Sequence, residues 1–540
     1  MVLDARYPEM EFLMQILPYE KLQNCEWSFC DIIPKDVEVM YVYGFSPKIQ
    51  TLLKWIKEDC KRDLVFIEDD ISVIHRMKLN GDDKLFDNDQ IHLRFRMKDV
   101  LLEKFVGDVA IDFPYNSIDV INLKNDEIVF AELKKLLLQK SVVGDGAFSD
   151  MLNYHYLFNN IYHNIYRVCD SFSFVKWKNS FKNVPAILCG AGPSLATVGD
   201  KLLSLQDRAL ILAGGSTITA LNSLNIVPHI GFAFDPNIEE FNRLMFHTSY
   251  ETPIVFATRV NKNIFHSHNG PLGYSVTGTG GFIEKWLEEK IGVEDMKILE
   301  GLSDNAMSVT SVALMTAIYF GCNPIIFAGV DLSYVFGERY SNGVISSFES
   351  SLEENRCLTA GMLHEIDGKI TSTQWIIESD VISQVSKKFS DRDFIDGTGC
   401  GIGFDGIKHE SDFEKYLTSI YDIKGIIHDM VQNTQMNISP SLLDEQILSF
   451  KYSLLRSKQL IENILLELER KEYSVKMDVL EMDLENETAY QLALKQGLTS
   501  WAYFTKKKYR HSNDDKNIFL IKISNYERLK FITDKYLSIL

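Results

Sequence analysis

From Val37 the chain reads VEVMYVYGFS, a nearly unbroken apolar run that predicts a buried strand ending at Gly44. A helical stretch follows to about Cys60, and LVFIEDD predicts a second strand that ends in acids. IHLRFR and DVAIDFP read as further strands, which makes residues 1–115 a small N-terminal α/β domain. Residues 116–180 read as a helical connector. In it MLNYHYLFNNIYHNIYRV places Leu152, Tyr156, Asn159 and His163 on one turn-to-turn path, an aromatic stripe better suited to packing than to a ligand. Over 181–410 short apolar runs alternate with helical patterns. VPAILC, RALILA, IGFAF, PIVFAT and PIIFAGV predict strands, and IEKWLEEK and SVTSVALMTAIYF predict helices. That alternation predicts a mostly parallel sheet with helices on both faces. Residues 411–540 read as a helical domain, because no proline follows Pro440 and Gly497 is the only later glycine. Within it Leu443, Ile447, Phe450, Leu454, Ile461, Ile464 and Leu468 form one apolar face, suited to packing or to a homo-oligomer.

Composition narrows the picture. The chain has 540 residues, 46% of them hydrophobic, enough for roughly three or four domains. A net charge of −19 opposes a phosphate backbone and an anionic lipid surface, so neither nucleic acid nor membrane insertion is expected. No basic start with a following apolar run marks a secretory signal, and eight widely spaced cysteines without a CxxC pair fit a reducing, cytoplasmic setting. The basic cluster Lys506, Lys507, Lys508 and Arg510 reads as a solvated helix face, and His266 and His268 as a loop pair without a third metal ligand. Gly44 stands alone, without the second glycine that lets a phosphate approach, so the first domain reads as scaffold.

Candidate chemistry gathers where the central strands end. In CGAGPSL, Gly190, Ala191 and Gly192 allow close backbone approach, and Pro193 and Ser194 open a helix whose N–H groups suit a phosphate. A dinucleotide fingerprint would need glycine at Leu195, and a P-loop would need a Gly-Lys pair. Gly214, Gly215 and Ser216 end the next strand. Asp235 and Pro236 end a third, the acid being placed to bond ribose hydroxyls or to start a turn. Asp331 follows a fourth, and the helix before that strand begins near Asn305 and Ser308, the latter a nucleotide contact or an N-cap.

AILCGAGPSL, ILAGGSTITALNSLNIVPHIGFAFDP, SVTSVALMTAIYFGCNPIIFAGVDLSY, DGKITST and FIDGTGCGIGFDG, in this order, resemble the motility-associated-factor (Maf) glycosyltransferases and their archaeal relatives, the 6-hydroxymethylpterin diphosphokinase-like proteins. The central domain also resembles bacterial sialyltransferases that use CMP-activated sugars. The resemblance implies a Rossmann-like, sialyltransferase-like central domain of α/β class between a smaller α/β domain and a helical one. It further implies transfer of a sialic-, pseudaminic- or legionaminic-type sugar from its CMP form to Ser/Thr hydroxyls of flagellin, with no tightly bound cofactor. Carried over position by position, Tyr334 and Tyr340 would stabilise the departing phosphate and His364 would act as general base. Three positions depart from the pattern. Ala191 stands where the sialyltransferases have asparagine, Arg339-Tyr340-Ser341 where many Maf proteins have Thr-His-Ala, and Thr398-Gly399-Cys400-Gly401 where they have Thr-Glu-Gly-Gly. Two alternatives are pyrophosphate transfer from ATP with magnesium to a hydroxymethylpterin, and noncatalytic binding of a sugar nucleotide.

Overall fold

The computed structural model describes residues 37–540 except Lys48, 115–116, Asn125, Phe246, Thr279, 298–307, 345–362, 471–473 and 509–514, and except the side chains of 515–517. The chain divides into two compact units. One comprises Met1–Leu152, Glu467–Glu472 and Gly497–Arg528; the other comprises Asn153–Leu466, Tyr473–Gln496 and Leu529–Leu540.

The first unit holds four parallel strands, β1 (Val39–Tyr43), β2 (Asp63–Glu68), β3 (Ile91–Phe95) and β4 (Ile118–Asn122), in the order β3-β2-β1-β4. All residues of β1 and β2 are buried, as strands covered on both faces require. Helices α1 (Gln50–Glu58), α2 (Ile71–Asn80), α3 (Leu102–Asp112) and α4 (Glu127–Leu152) belong to this unit. The segment DVAIDFP, expected as a strand, is the end of α3. Leu102, Val106, Val109 and Ala110 are buried while Ile111 is 73% exposed, so the apolar spacing is helical and begins upstream of the segment. Of the stretch expected as a helical connector, Glu127–Leu152 is helical as expected (α4), whereas Ile118–Asn122 forms strand β4, and both belong to the first unit. Lys507 departs from the solvated-face expectation. Its ammonium is buried on the Asp63 carboxylate, whose Oδ1 also meets His92 Nε2 at 2.9 Å. Lys506 and Lys508 are exposed, and Arg510 lies outside the described residues.

The second unit is built on a nine-stranded sheet: β5 (Phe172–Ser173), β6 (Ala186–Cys189), β7 (Leu210–Gly214), β8 (Ile230–Ala233), β9 (Ile254–Phe256), β10 (Leu272–Tyr274), β11 (Ile325–Ala328), β14 (Phe394–Asp396) and β15 (Lys408–His409). Its order is β15-β14-β11-β6-β7-β8-β9-β10-β5, and every pair is parallel. A separate antiparallel hairpin pairs β12 (Leu363–Ile366) with β13 (Lys369–Ser372). Winding runs outward from β6 through β7 and β8 on one side, and through β11 and β14 on the other. The strand order therefore reverses between β6 and β11, which is where open α/β sheets place ligands.

Helix α5 (Tyr154–Val168) packs through Leu157, Phe158, Ile161 and Ile165, whereas Tyr156 and His163 on the expected path are exposed. The aromatic run does pack, but on a face rotated from the expected one, the face that carries Leu157, Phe158, Ile161, Ile165 and Val168. On α13 (Ser441–Glu469) the expected apolar face is buried at Leu443, Phe450, Leu454, Ile461, Ile464 and Leu468, and Ile447 is half-buried. Phe450 meets Phe158 and Trp286, and Tyr536 meets Phe158, so the second unit covers part of this face itself. Among the described residues no helix is long and apolar enough to cross a membrane.

Candidate functional site

A cavity of about 360 Å³ opens at the carboxyl ends of β6, β7, β8 and β11. Gly190, Ala191, Gly192, Gly214, Gly215, Ser216, Asp235, Ser308, Asp331 and Tyr340 line it, so residues from six separate places in the sequence meet there. Asn305 lies outside the described residues. Pro193, Ser194, Pro236, Tyr334 and His364 do not line the cavity.

The glycine turn after β6 is built against the turn after β11. Gly190 N–H continues the ladder to Ala328 O at 2.8 Å, and Gly192 N–H donates to Gly329 O at 2.9 Å. A Cβ at Gly190 would collide with the Gly329 backbone, and one at Gly192 with the Asp331 carboxylate, so these glycines are fixed by strand-end packing as much as by any ligand. The Asp331 carboxylate accepts the Ser194 N–H at 2.9 Å and the Ser194 hydroxyl as well. That carboxylate takes the Ser194 N–H at the helix start expected to hold a phosphate. Burial raises the Asp331 pKa above the ordinary carboxylate range, and the Ser194 hydrogen bonds oppose the shift.

Helix α10 (Val309–Tyr319) begins in a similar way. Ser308 caps it by accepting the Ser311 N–H at 3.2 Å and donates its own proton to Glu378, which also accepts the Ser311 hydroxyl at 2.5 Å. Burial raises the Glu378 pKa. Ser308 is thus a helix cap at the cavity wall, with its hydroxyl proton already committed. Asp235 Oδ1 accepts the Asn237 N–H at 3.0 Å and the Asn237 side chain at 2.8 Å, forming an Asx turn. The Pro236 carbonyl accepts Asn160 Nδ2 at 3.1 Å.

Tyr340 is held over the cavity by the Ser341 N–H, which donates to Ala191 O at 2.7 Å. Its ring lies 5.8 Å from the Arg243 guanidinium and 5.2 Å from that of Arg339. Both arginines line the cavity, as does Trp375, and Arg339 also faces the Trp375 ring at 5.5 Å. Tyr334 packs on Trp375 from outside the lining, at 5.1 Å between ring centres. His364 sits on β12 with Nε2 2.7 Å from Thr373 Oγ1. Sequence reasoning missed Arg243, Arg339, Trp375, Glu240 and Glu378 as cavity residues. The signal for Arg243 and Glu240 was their spacing of three in the helix that follows Asp235, which puts both on one face.

His266 is exposed, whereas His268 is largely buried beside His247, and burial with that neighbour lowers its pKa to about 4. Among the described residues no cluster of three or more His, Cys, Asp or Glu forms a metal site.

The fold and the cavity together define a doubly wound α/β domain with its binding crevice at the strand-order reversal. Residues 159–336 match the family model described as 6-hydroxymethylpterin diphosphokinase MptE-like. The structure of the Maf glycosyltransferase from Magnetospirillum magneticum AMB-1 is similar to this chain with a TM-score of 0.53 and 12% sequence identity, over 93% of this chain and 79% of that one. The α/β fold with helical C-terminal residues is thus shared with a Maf glycosyltransferase. No curated protein sequence matches the chain.

Proposed function

We propose that this chain is a glycosyltransferase that moves a nonulosonic sugar of sialic, pseudaminic or legionaminic type from its CMP form to Ser/Thr hydroxyls of flagellin in the cytoplasm. The observation that carries the reading is the cavity at the strand-order reversal, in a chain with the fold of a Maf glycosyltransferase. Such a donor carries a phosphate, a carboxylate and many hydroxyls. Arg243 and Arg339 supply positive potential for its anionic groups, Trp375 and Tyr340 supply flat apolar surface, and glycine backbone supplies close approach. In the transfer, the acceptor oxygen bonds to the anomeric carbon, the bond from that carbon to the phosphate oxygen breaks, and CMP leaves with the electron pair. Tyr340 and the arginines stabilise the departing phosphate without a metal. The acceptor proton passes to a base, the role we assign to His364.

Purified protein mixed with CMP-sugar and flagellin is expected to release CMP and add the sugar's mass to flagellin. No CMP binding and no donor consumption would refute the reading. His364→Ala is expected to lower the rate by about 100-fold or more, and an unchanged rate would remove it from the mechanism. The family model over 159–336 favours one second reading, diphosphate transfer from ATP to a hydroxymethylpterin. Magnesium-dependent AMP release with that pterin would replace the first reading by the second.

A further inference from the structure

Among the described residues four carboxylates line the cavity, and three of them are engaged within the chain: Asp331 by Ser194, Glu378 by Ser308 and Ser311, and Asp235 by Asn237. The fourth, Glu240, stands on α8 (Ile238–Leu244), is 3% exposed, and has Oε1 buried without a hydrogen-bond partner among the described residues. Burying a polar atom without a partner is costly, and such atoms are rare in folded proteins.

The space around Glu240 is made for it. A Cβ on Gly215, the first residue of α7 (Gly215–Ser223), would stand 2.5 Å from both of its carboxylate oxygens. Arg243 follows one turn later on the same helix and also lines the cavity. Burial, reinforced by Asp235 and opposed by Arg243, pushes the Glu240 pKa up to about 8, so the carboxyl keeps its proton at neutral pH. A neutral carboxyl offers one donor and one acceptor, the complement of a hydroxyl group, and it does not repel the phosphate of a ligand. Asp235, the acid expected from sequence to meet a ribose, has one oxygen committed to its turn.

We propose that Glu240 reads a ribose hydroxyl of the bound nucleotide, with Arg243 beside it facing the ligand's anionic part. This rests on the nucleotide-sugar reading above. The carboxyl donates its proton to the hydroxyl oxygen and accepts the hydroxyl's own proton, which gives the buried Oε1 the partner it lacks.

The test is calorimetric titration of wild type, Glu240→Gln and Glu240→Ala with CMP, 2′-deoxy-CMP and 3′-deoxy-CMP, with a thermal melt of each protein. Wild type is expected to bind one deoxynucleotide about 3- to 10-fold more weakly than CMP, the size of one net hydrogen bond. Glu240→Ala is expected to weaken CMP to the level of that deoxynucleotide and to leave the deoxynucleotide's own affinity unchanged. Glu240→Gln keeps a donor and an acceptor and is expected to retain most of the preference. A second measurement does not depend on the alanine variant folding. Between neutral pH and about pH 9 the wild-type preference should change as Glu240 loses its proton and becomes a charged acceptor, while that of Glu240→Gln stays constant. If wild type binds all three nucleotides equally, or if Glu240→Ala keeps the preference, the assignment of Glu240 is wrong and the nucleotide reading survives. If wild type binds none of the three, the nucleotide-sugar reading itself falls.

Discussion

Asp331 holds the cavity's first wall through a buried carboxylate that accepts two hydrogen bonds from Ser194. Asp331→Ala strands the Ser194 N–H and hydroxyl in the interior, where each unsatisfied group costs about 1–3 kcal/mol. Urea unfolding should show that loss, and CMP affinity should fall with it. Gly190→Ala drives a methyl group into the Gly329 backbone, so the two turns must separate; the expected result is lower stability together with weakened ligand binding. Glu240 links stability to pH. Its folded-state pKa of about 8 lies above the ordinary 4.5, so between those values the native state holds a proton that the unfolded chain has released. Stability contributed by that proton is complete below about 4.5 and is lost as pH rises through about 8. Urea midpoints measured from about pH 5 to about pH 9 should therefore decline less steeply in Glu240→Gln than in wild type. The chemical character of Gly190, Gly215 and Asp331 was legible from sequence, but their partners were not. Asp331 meets Ser194 from 137 positions away, a separation no local pattern encodes.

Strands β6, β7, β8, β9 and β11 of the large sheet were legible because each lies in a short apolar run, as VPAILC and RALILA are, whereas the three-residue strands β10 and β14 were not predicted. The two-residue strands β5 and β15 were not, since Phe172–Ser173 and Lys408–His409 are too short for any period. Helix α3 shows the opposite failure, because a five-residue alternation satisfies both periods and only Leu102 and Val106 upstream decide between them. Lys507 shows what a helix can hide. It belongs to α15 (Lys495–Lys508), where three consecutive lysines read as a solvated end, yet tertiary packing buries the middle one on Asp63. Lys507→Met removes the ammonium from the buried Asp63 carboxylate, and breaking such a pair costs about 3–5 kcal/mol. Adding Asp63→Asn should recover part of that loss, which denaturation of the single and double variants measures.

At the scale of the molecule, the C-terminal residues, expected as one helical domain, are divided between the two units. Glu467–Glu472 and Gly497–Arg528 belong to the unit of the N-terminal sheet, and the remaining helical residues belong to the unit of the large sheet. A chain ended at Pro440 would uncover Phe158 and Trp286 and would leave Asp63 without Lys507. It is expected to bind ANS strongly and to lose its cooperative thermal transition, which fluorescence and calorimetry would register. What the amino-acid order determined by itself is what short-range physics can carry: the strand and helix periods, the glycine turns at strand ends, and a helical C-terminus free of internal breakers. What only the tertiary structure decided is which groups meet. It set Asp331 against Ser194, left Glu240 Oε1 without a hydrogen-bond partner among the described residues, and divided the C-terminal helices between two units. Pairing across such separations depends on how buried surfaces fit and which polar groups are left to be satisfied. Those quantities exist only once the chain has folded.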